Sequence, residues 1–182
     1  MRKIINRAKI IYCEGPRLYL RSVKISDATK QYVTWLNSMT VNRFLESRFV
    51  KYDIKNLKEY ITTTSNKPNV VFLAIILKKN EKHIGNIKID IDWHHNLGTV
   101  GIMIGDTDSW GQGYGSEAIE IISKFAFKRL RLHKLISYIY ANNTGSIMAF
   151  LKAGFFQEAV LKKHILYDGQ YIDRLLLCKF DK

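Results

Sequence analysis

Three glycines set two residues apart, Gly111, Gly113 and Gly115, stand between an alternating apolar segment and a long amphipathic one. Glycine accepts positive φ and lets a ligand approach the backbone. Successive N–H groups of the segment can therefore converge on an anion. A helix opening at Ser116 would add its free first-turn N–H groups and the positive end of its dipole. The chemistry this suits is the holding of a pyrophosphate; on spacing alone, a flexible turn is the alternative. No Gly-Lys-Ser/Thr follows, so this is no P-loop, and Ser116 or Ala118 breaks the Gly-x-Gly-x-x-Gly pattern. No metal site is expected. Cys13 and Cys178 lie far apart, and the adjacent His94 and His95 of a strand end would face opposite sides.

Periodicity shows what positions the loop. Arg17 to Lys24 alternates apolar and polar residues, as a half-buried strand does. A helix capped by Ser26 or Asp27 runs to about Asn37, with Ala28, Tyr32, Trp35 and Leu36 on one face. Asp53 opens a second, to about Thr64, and Asn66 to Asn69 form a turn. Val70 to Leu77, Ile84 to Asp92 and Thr99 to Ile104 are predicted strands, joined closely enough for an antiparallel meander. Ser116 to Leu130 is a strongly amphipathic helix and Lys134 to Ala141 a strand. A short helix from Asn143 or Thr144 ends at Gly154. Gln157–Tyr167 and Tyr171–Phe180 then form a hairpin around Asp168-Gly169. The expectation is one α+β domain over residues 1–182, with residues 1–14 an N-terminal extension.

The 182 residues carry 29 Lys and Arg against 16 Asp and Glu, a net +13. Such a field draws polyanions, although dispersed lysines can also be composition bias. No helix-turn-helix, zinc or aromatic RNA-binding signature is present, so no nucleic-acid partner is expected. No run of eighteen apolar residues exists, so no membrane partner is expected either. Arg7 and Lys9 interrupt the N-terminal segment and the two cysteines are isolated, which together suggest a cytoplasmic protein.

These features together resemble the GNAT superfamily of N-acetyltransferases. Its CoA loop reads Gln/Arg-x-x-Gly-x-Gly/Ala, and this chain reads Trp110-x-x-Gly113-x-Gly115, similar to the RimJ/RimL branch. Asn143-Thr-Gly-Ser146 with Ala153-Gly154-Phe155 resembles that branch's second signature. Asp168-Gly169-Gln-Tyr171-Ile-Asp173 is similar to the C-terminal hairpin of RimJ/RimL and spermidine acetyltransferases. The likeness spans about Gly15 to Phe180. It implies a GNAT fold: a mixed central sheet of about seven strands with about four helices. Strands four and five, Thr99–Ile104 and Lys134–Ala141, would splay apart at one end. It also implies acetyl-CoA as co-substrate, its pantetheine arm pairing near Met103 and Ile104 and its pyrophosphate on the amides of Gln112, Gly113, Tyr114, Gly115 and Ser116. Asn143 and Ser146 would touch the arm and Phe150 would flank the thiol. Read as residues alone, Asn143 can equally be an N-cap, Ser146 a first-turn residue and Phe150 part of the core.

The implied reaction is direct attack of a primary amine on the thioester. A positioned base would contribute roughly 10²–10⁴-fold, and an amide near Met103 could hold the oxyanion. Many relatives place a general-acid tyrosine where this chain has Phe150, which cannot donate a proton; water, Tyr138 or Tyr140 could serve. Many also place glutamate where this chain has Thr99. Of the nearby Asp90, Asp92, His94 and His95, the candidate bases are Asp92 and His95, with solvated turn residues as the alternative.

Tyr32-x-x-Trp35-Leu36-Asn37 and Val41 to Glu46 resemble GNAT proteins of cell-surface sugar biosynthesis. That implies a small-molecule amine acceptor, a nucleotide-linked amino sugar, which the net charge favours over a polyamine. The alternatives are a protein N-terminus of ribosomal-protein type, a polyamine, or a non-catalytic acyl-CoA-binding module. A homodimer is left open.

Overall fold

A computed structural model describes residues 12–181, and the first eleven residues of the expected extension lie outside it. In chain order the elements are β1 (Tyr12–Glu14), β2 (Leu18–Ser22), α1 (Lys30–Asn37), α2 (Met39–Asn42), α3 (Ile54–Ser65), β3 (Val70–Leu77), β4 (His83–Asp92) and β5 (Leu97–Ile104). There follow α4 (Tyr114–Lys128), β6 (Lys134–Tyr140), α5 (Thr144–Lys152), β7 (Phe156–Tyr167) and β8 (Gln170–Phe180). The strands form one sheet in the order β1-β2-β3-β4-β5-β6-β8-β7. Among the described residues, only the β5–β6 pair is parallel. The α+β mixed sheet is as expected, with eight strands and five helices among the described residues, where about seven and about four were expected. The additions are β1, three residues of the expected extension, and the single turn α2.

Strand β3 explains how two layers of helix cover one sheet. All eight of its residues are buried. Val71, Leu73, Ile75 and Leu77 join the core under α4 and α5, while Val70, Phe72, Ala74 and Ile76 join the core under α1 and α3. A central strand with both faces covered reads as a continuous apolar run, which is what Val70 to Leu77 is. On the first side α4 buries Ala118, Ile119, Ile122 and Ala126 completely. On the second, α1 begins later than expected. Thr29, not Ser26 or Asp27, caps it by accepting from Tyr32 N at 3.2 Å. The Asp27 carboxylate is instead held by both terminal nitrogens of Arg21, each at 2.7 Å, and by Lys24 N at 2.7 Å.

Two irregularities shape the middle of the sheet. β4 bulges at Ile84, because Ile75 pairs with Gly85 and Ile76 with His83. The Ile84 carbonyl accepts from both Gly105 N (2.9 Å) and Asp106 N (3.1 Å), which turns the chain out of β5. A Cβ on Gly85 would come within 2.1 Å of the Met103 carbonyl oxygen, so only glycine fits the bulge. The second irregularity is the expected splay. β5 pairs with β6 only over Leu97↔Lys134, Gly98↔Leu135 and Thr99↔Ile136. The Ser137 hydroxyl donates to the Val100 carbonyl at 2.9 Å, and beyond it the strands part. β6 follows β8 along its whole length instead.

Candidate active site

The V between β5 and β6 opens into a cavity of about 550 Å³. Its near wall is Ile102, Met103 and Ile104 of β5. Its floor is Ser109 to Gly111 and Gly113 to Ser116, and α5 with its preceding turn closes a third side. Thr40, Val41, Arg43, Phe44 and Leu45 form the roof.

The glycine segment is built to meet an anion. Gly111 (φ 73) and Gly113 (φ 78) both occupy the left-handed region. A Cβ at Gly111 would meet nothing within 4 Å, and one at Gly113 only an Arg17 terminal nitrogen at 3.5 Å. The space in front of both is therefore open. Gly113 is the N-cap of α4 and offers no side chain to its first turn. The N–H groups of Tyr114, Gly115 and Ser116 thus lack an intrahelical acceptor, and these three residues line the cavity. This cradle fits a pyrophosphate. Arg17 fixes it from behind: its Nε donates to Glu117 at 2.7 Å, its Nη1 donates to the Gln112 carbonyl at 2.9 Å, and its guanidinium lies 4.7 Å from the Tyr114 ring centroid. Periodicity marked Arg17 only as a strand residue, because its partner lies a hundred residues away.

Of the residues expected to touch a cofactor, Met103, Ile104, Gly113, Tyr114, Gly115, Ser116, Asn143 and Ser146 all line the cavity. Asn143 is also the N-cap of α5, its Oδ1 accepting from Ser146 N at 3.2 Å. One expectation needs correction. Phe150 is 1% exposed and packs edge-on to Phe155 at 5.0 Å, so it belongs to the core and cannot flank a thiol in the cavity. As for Gln112, only its backbone amide was expected to act; its side chain donates to the Asp108 carbonyl and its own carbonyl accepts from Arg17, which anchors the loop.

The backbone that faces the V also differs from expectation. The Val100 carbonyl is directed at Ser137 and the Ile104 carbonyl at the Trp110 indole, 2.8 Å away, whereas the Met103 carbonyl faces Gly85 on β4. Successive residues of a strand turn their backbone groups to alternate edges. The groups on the V edge are therefore those of Ile102 and Ile104, the Ile104 carbonyl already taken by Trp110, and the Met103 amide turns away from it.

Asp92 and His95 are not brought to the cavity. They lie in the turn before Leu97, at the closed end of the β5–β6 pair, whereas the cavity begins beyond Thr99 and reaches past Ile104. Seven residues of strand at about 3.3 Å each put the two ends of β5 roughly 20 Å apart. Asp92 accepts from the N–H groups of His94 (2.9 Å) and His95 (3.2 Å). The His95 and His94 amides hold its carboxyl below the ordinary range, which suits a turn cap better than a base.

The titratable groups that do gather at the open end are on β6 and the roof. The Tyr140 hydroxyl accepts from Arg48 at 2.9 Å and donates to Glu46 at 2.9 Å. Burial pushes this hydroxyl above the usual tyrosine range; Arg48 opposes the rise and Glu46 adds to it. Tyr140 therefore stays a proton donor at neutral pH. The Phe44 ring stacks on Tyr167 at 5.6 Å and meets Tyr140 edge-on at 6.0 Å, which fastens the roof to the far wall.

The sequence profile described as the acetyltransferase (GNAT) domain matches residues 17–156, well over half of the chain. The chain belongs to the GNAT acetyltransferase family. This acetyltransferase is similar to the SPbeta prophage-derived uncharacterized N-acetyltransferase YokL of Bacillus subtilis, at 25% identity over 167 residues covering 90% of each chain. In fold it is similar to the spermidine N-acetyltransferase of Vibrio cholerae in complex with CoA and spermine. The TM-score is 0.80 at 18% identity, over 91% of this chain and 96% of that one. It is likewise similar to Mycobacterium smegmatis RimJ in complex with CoA-disulfide, with a TM-score of 0.78 at 16% identity over 94% and 86% of the two chains. The family uses acetyl-CoA, and this chain is an acetyl-CoA-dependent N-acetyltransferase. Among the described residues, no helix is long and apolar enough to cross a membrane.

Proposed function

We propose that this acetyltransferase transfers the acetyl group to the primary amine of a neutral or anionic small molecule, a nucleotide-linked amino sugar. Acetyl-CoA supplies an acyl thioester, and the cavity has the parts to hold it. The uncapped N–H groups of Tyr114, Gly115 and Ser116 line the cavity where a pyrophosphate would bind, and Asn143 and Ser146 line the path its arm would take. Strand alternation from Val100, whose carbonyl meets Ser137, turns Ile102 and Ile104 toward the V. Their N–H groups offer a preorganised donor to the oxyanion as the amine adds to the carbonyl. The thiolate leaves with little help, since a thiol's pKa is about 8.5.

The observation that carries the choice of acceptor is the charge of the cavity wall. Among the described residues lining it, the charged side chains are Arg43 and Lys152, both cations, and none is a carboxylate. The whole chain adds a net +13. A polyamine would enter this cavity against like charge and find no counter-ion on its wall, while a phosphate would be drawn in. The likeness to the spermidine enzyme, at 18% identity, speaks for the fold and not for the acceptor.

The test is CoA release from acetyl-CoA across UDP-linked amino sugars, free amino sugars, spermidine and N-terminal peptides. Turnover is expected with the nucleotide-linked sugars. Efficient acetylation of spermidine, with the nucleotide sugars inert, overturns the proposal.

A further inference from the structure

On the arm of β6 that diverges from β5, Tyr138 and Tyr140 share one face, about 7 Å apart. Each ring has a guanidinium over it. Arg174 of β8, directly opposite Tyr140 in the register, lies 4.9 Å from the Tyr138 ring centroid. Arg48 lies 5.2 Å from the Tyr140 ring. Tyr138 is 39% exposed and Tyr140 only 3%, so this face is open to a ligand at Tyr138.

Arg174 is poorly satisfied for a cation in such a place. Its Nε is buried and has no hydrogen-bond partner. Neither Arg174 nor Arg48 takes part in an ion pair among the described residues. A buried donor left without an acceptor is costly and calls for an explanation. The carboxylate next in sequence does not provide one. Strand alternation turns Asp173 to the opposite face, where it accepts from Lys162 Nζ and Lys163 N, each at 2.9 Å. Glu46, bound to the Tyr140 hydroxyl, is the carboxylate on this side.

We propose that Arg174, backed by Tyr138 and Arg48, is the subsite for the diphosphate of the acceptor. The inference rests on the acceptor class proposed above and adds where its anionic part binds. β6 is the far wall of the V and β8 lies one strand spacing, about 5 Å, beyond it. An amine poised in the V can thus carry a diphosphate that reaches Arg174. The planar guanidinium fork suits phosphate oxygens bidentately, which a lysine cannot reproduce.

The experiment titrates UDP, and separately inorganic pyrophosphate, into protein saturated with CoA, so that the glycine cradle is already filled. Wild type, Arg174→Gln and Arg174→Lys are compared by calorimetry. UDP should bind wild type, at least about 10-fold more weakly to R174Q, and with an intermediate loss to R174K. CoA affinity should be equal in all three and shows that each variant is folded. Equal UDP binding by R174Q and wild type, or no binding of UDP or pyrophosphate by wild type, overturns the subsite. The two proposals fail separately. If UDP binding depends on Arg174 but no UDP-linked amino sugar is acetylated, the subsite stands and the acceptor falls. If R174Q acetylates such a sugar with unchanged KM, the acceptor stands and the subsite falls.

Discussion

Gly113 concentrates the site's demands in one residue, since it must hold φ 78, end a loop, and leave the first turn of α4 uncovered. Gly113→Val should lower acetyl-CoA affinity by at least about 100-fold in calorimetry. A β-branched residue both strains the left-handed position and fills the cradle. Unchanged affinity would remove this loop from the site. A second residue reports on pH. Burial would raise the pKa of Asp27, but the Arg21 guanidinium and Lys24 N–H more than offset it and hold the carboxyl low. A carboxyl depressed in the folded state stabilises above its unfolded pKa, near 4, and loses that contribution as pH falls below it. Urea unfolding should therefore show stability falling from pH 5 to pH 2 by less in Asp27→Asn than in wild type. At pH 7 the variant should be weaker by about 2 kcal/mol. At this scale the sequence was informative wherever the signal was local. Glycine spacing located the cradle, and the Asn143 and Ser146 spacing located a helix start beside it. Phe150, Asp92 and His95 were misplaced for one reason: which face or strand end meets the cavity is decided by residues far along the chain. Arg17, Arg48 and Arg174 went unnoticed because a lone arginine carries no periodic signal.

Among the elements, the roof formed by α2 and residues 43–49 is tied to the far wall of the V by the Phe44 and Arg48 ring contacts and by the hydrogen bonds of one hydroxyl, that of Tyr140. Tyr140→Phe would remove the hydrogen bonds to Glu46 and Arg48 while keeping the ring that packs on Phe44, Tyr167 and the Arg48 guanidinium. Steady-state kinetics should show the acceptor's KM raised several-fold, with acetyl-CoA affinity unchanged, because the roof and not the glycine cradle is loosened. A change in acetyl-CoA affinity of the same size would argue that the roof also shapes the cofactor's place. Elements with a full period were legible from sequence. β3, β4 and β5, the amphipathic α4, and the β7–β8 hairpin on Asp168 (φ 48) and Gly169 (φ 77) lie within a few residues of expectation. β1 and α2 are too short to display a period. α1 starts late because Arg21, on another element, had already engaged the expected cap Asp27.

Taken as a whole molecule, the chain presents a net +13 to whatever approaches it. A phosphate-bearing acceptor should be steered inward most strongly at low salt, where the Debye length grows from about 10 Å at 0.1 M to about 30 Å at 0.01 M. kcat/KM for that acceptor should fall as salt rises, by more than CoA binding weakens in a parallel titration. A salt-independent kcat/KM would show that short-range contacts, and not the global field, select the acceptor. The splay of β5 from β6 has a consequence of another kind. Past Thr99 the backbone of β5 offers donors and acceptors that no strand covers, so the protein contains an edge strand in the middle of its sheet. Edges of that kind are templates for any extended chain, including another copy of the same polypeptide. An amide-bearing arm lying along β5 would blunt that edge as a short added strand does, and the roof shields what remains. Protein kept without CoA should therefore self-associate faster on mild warming than protein kept with it, and light scattering can follow the difference.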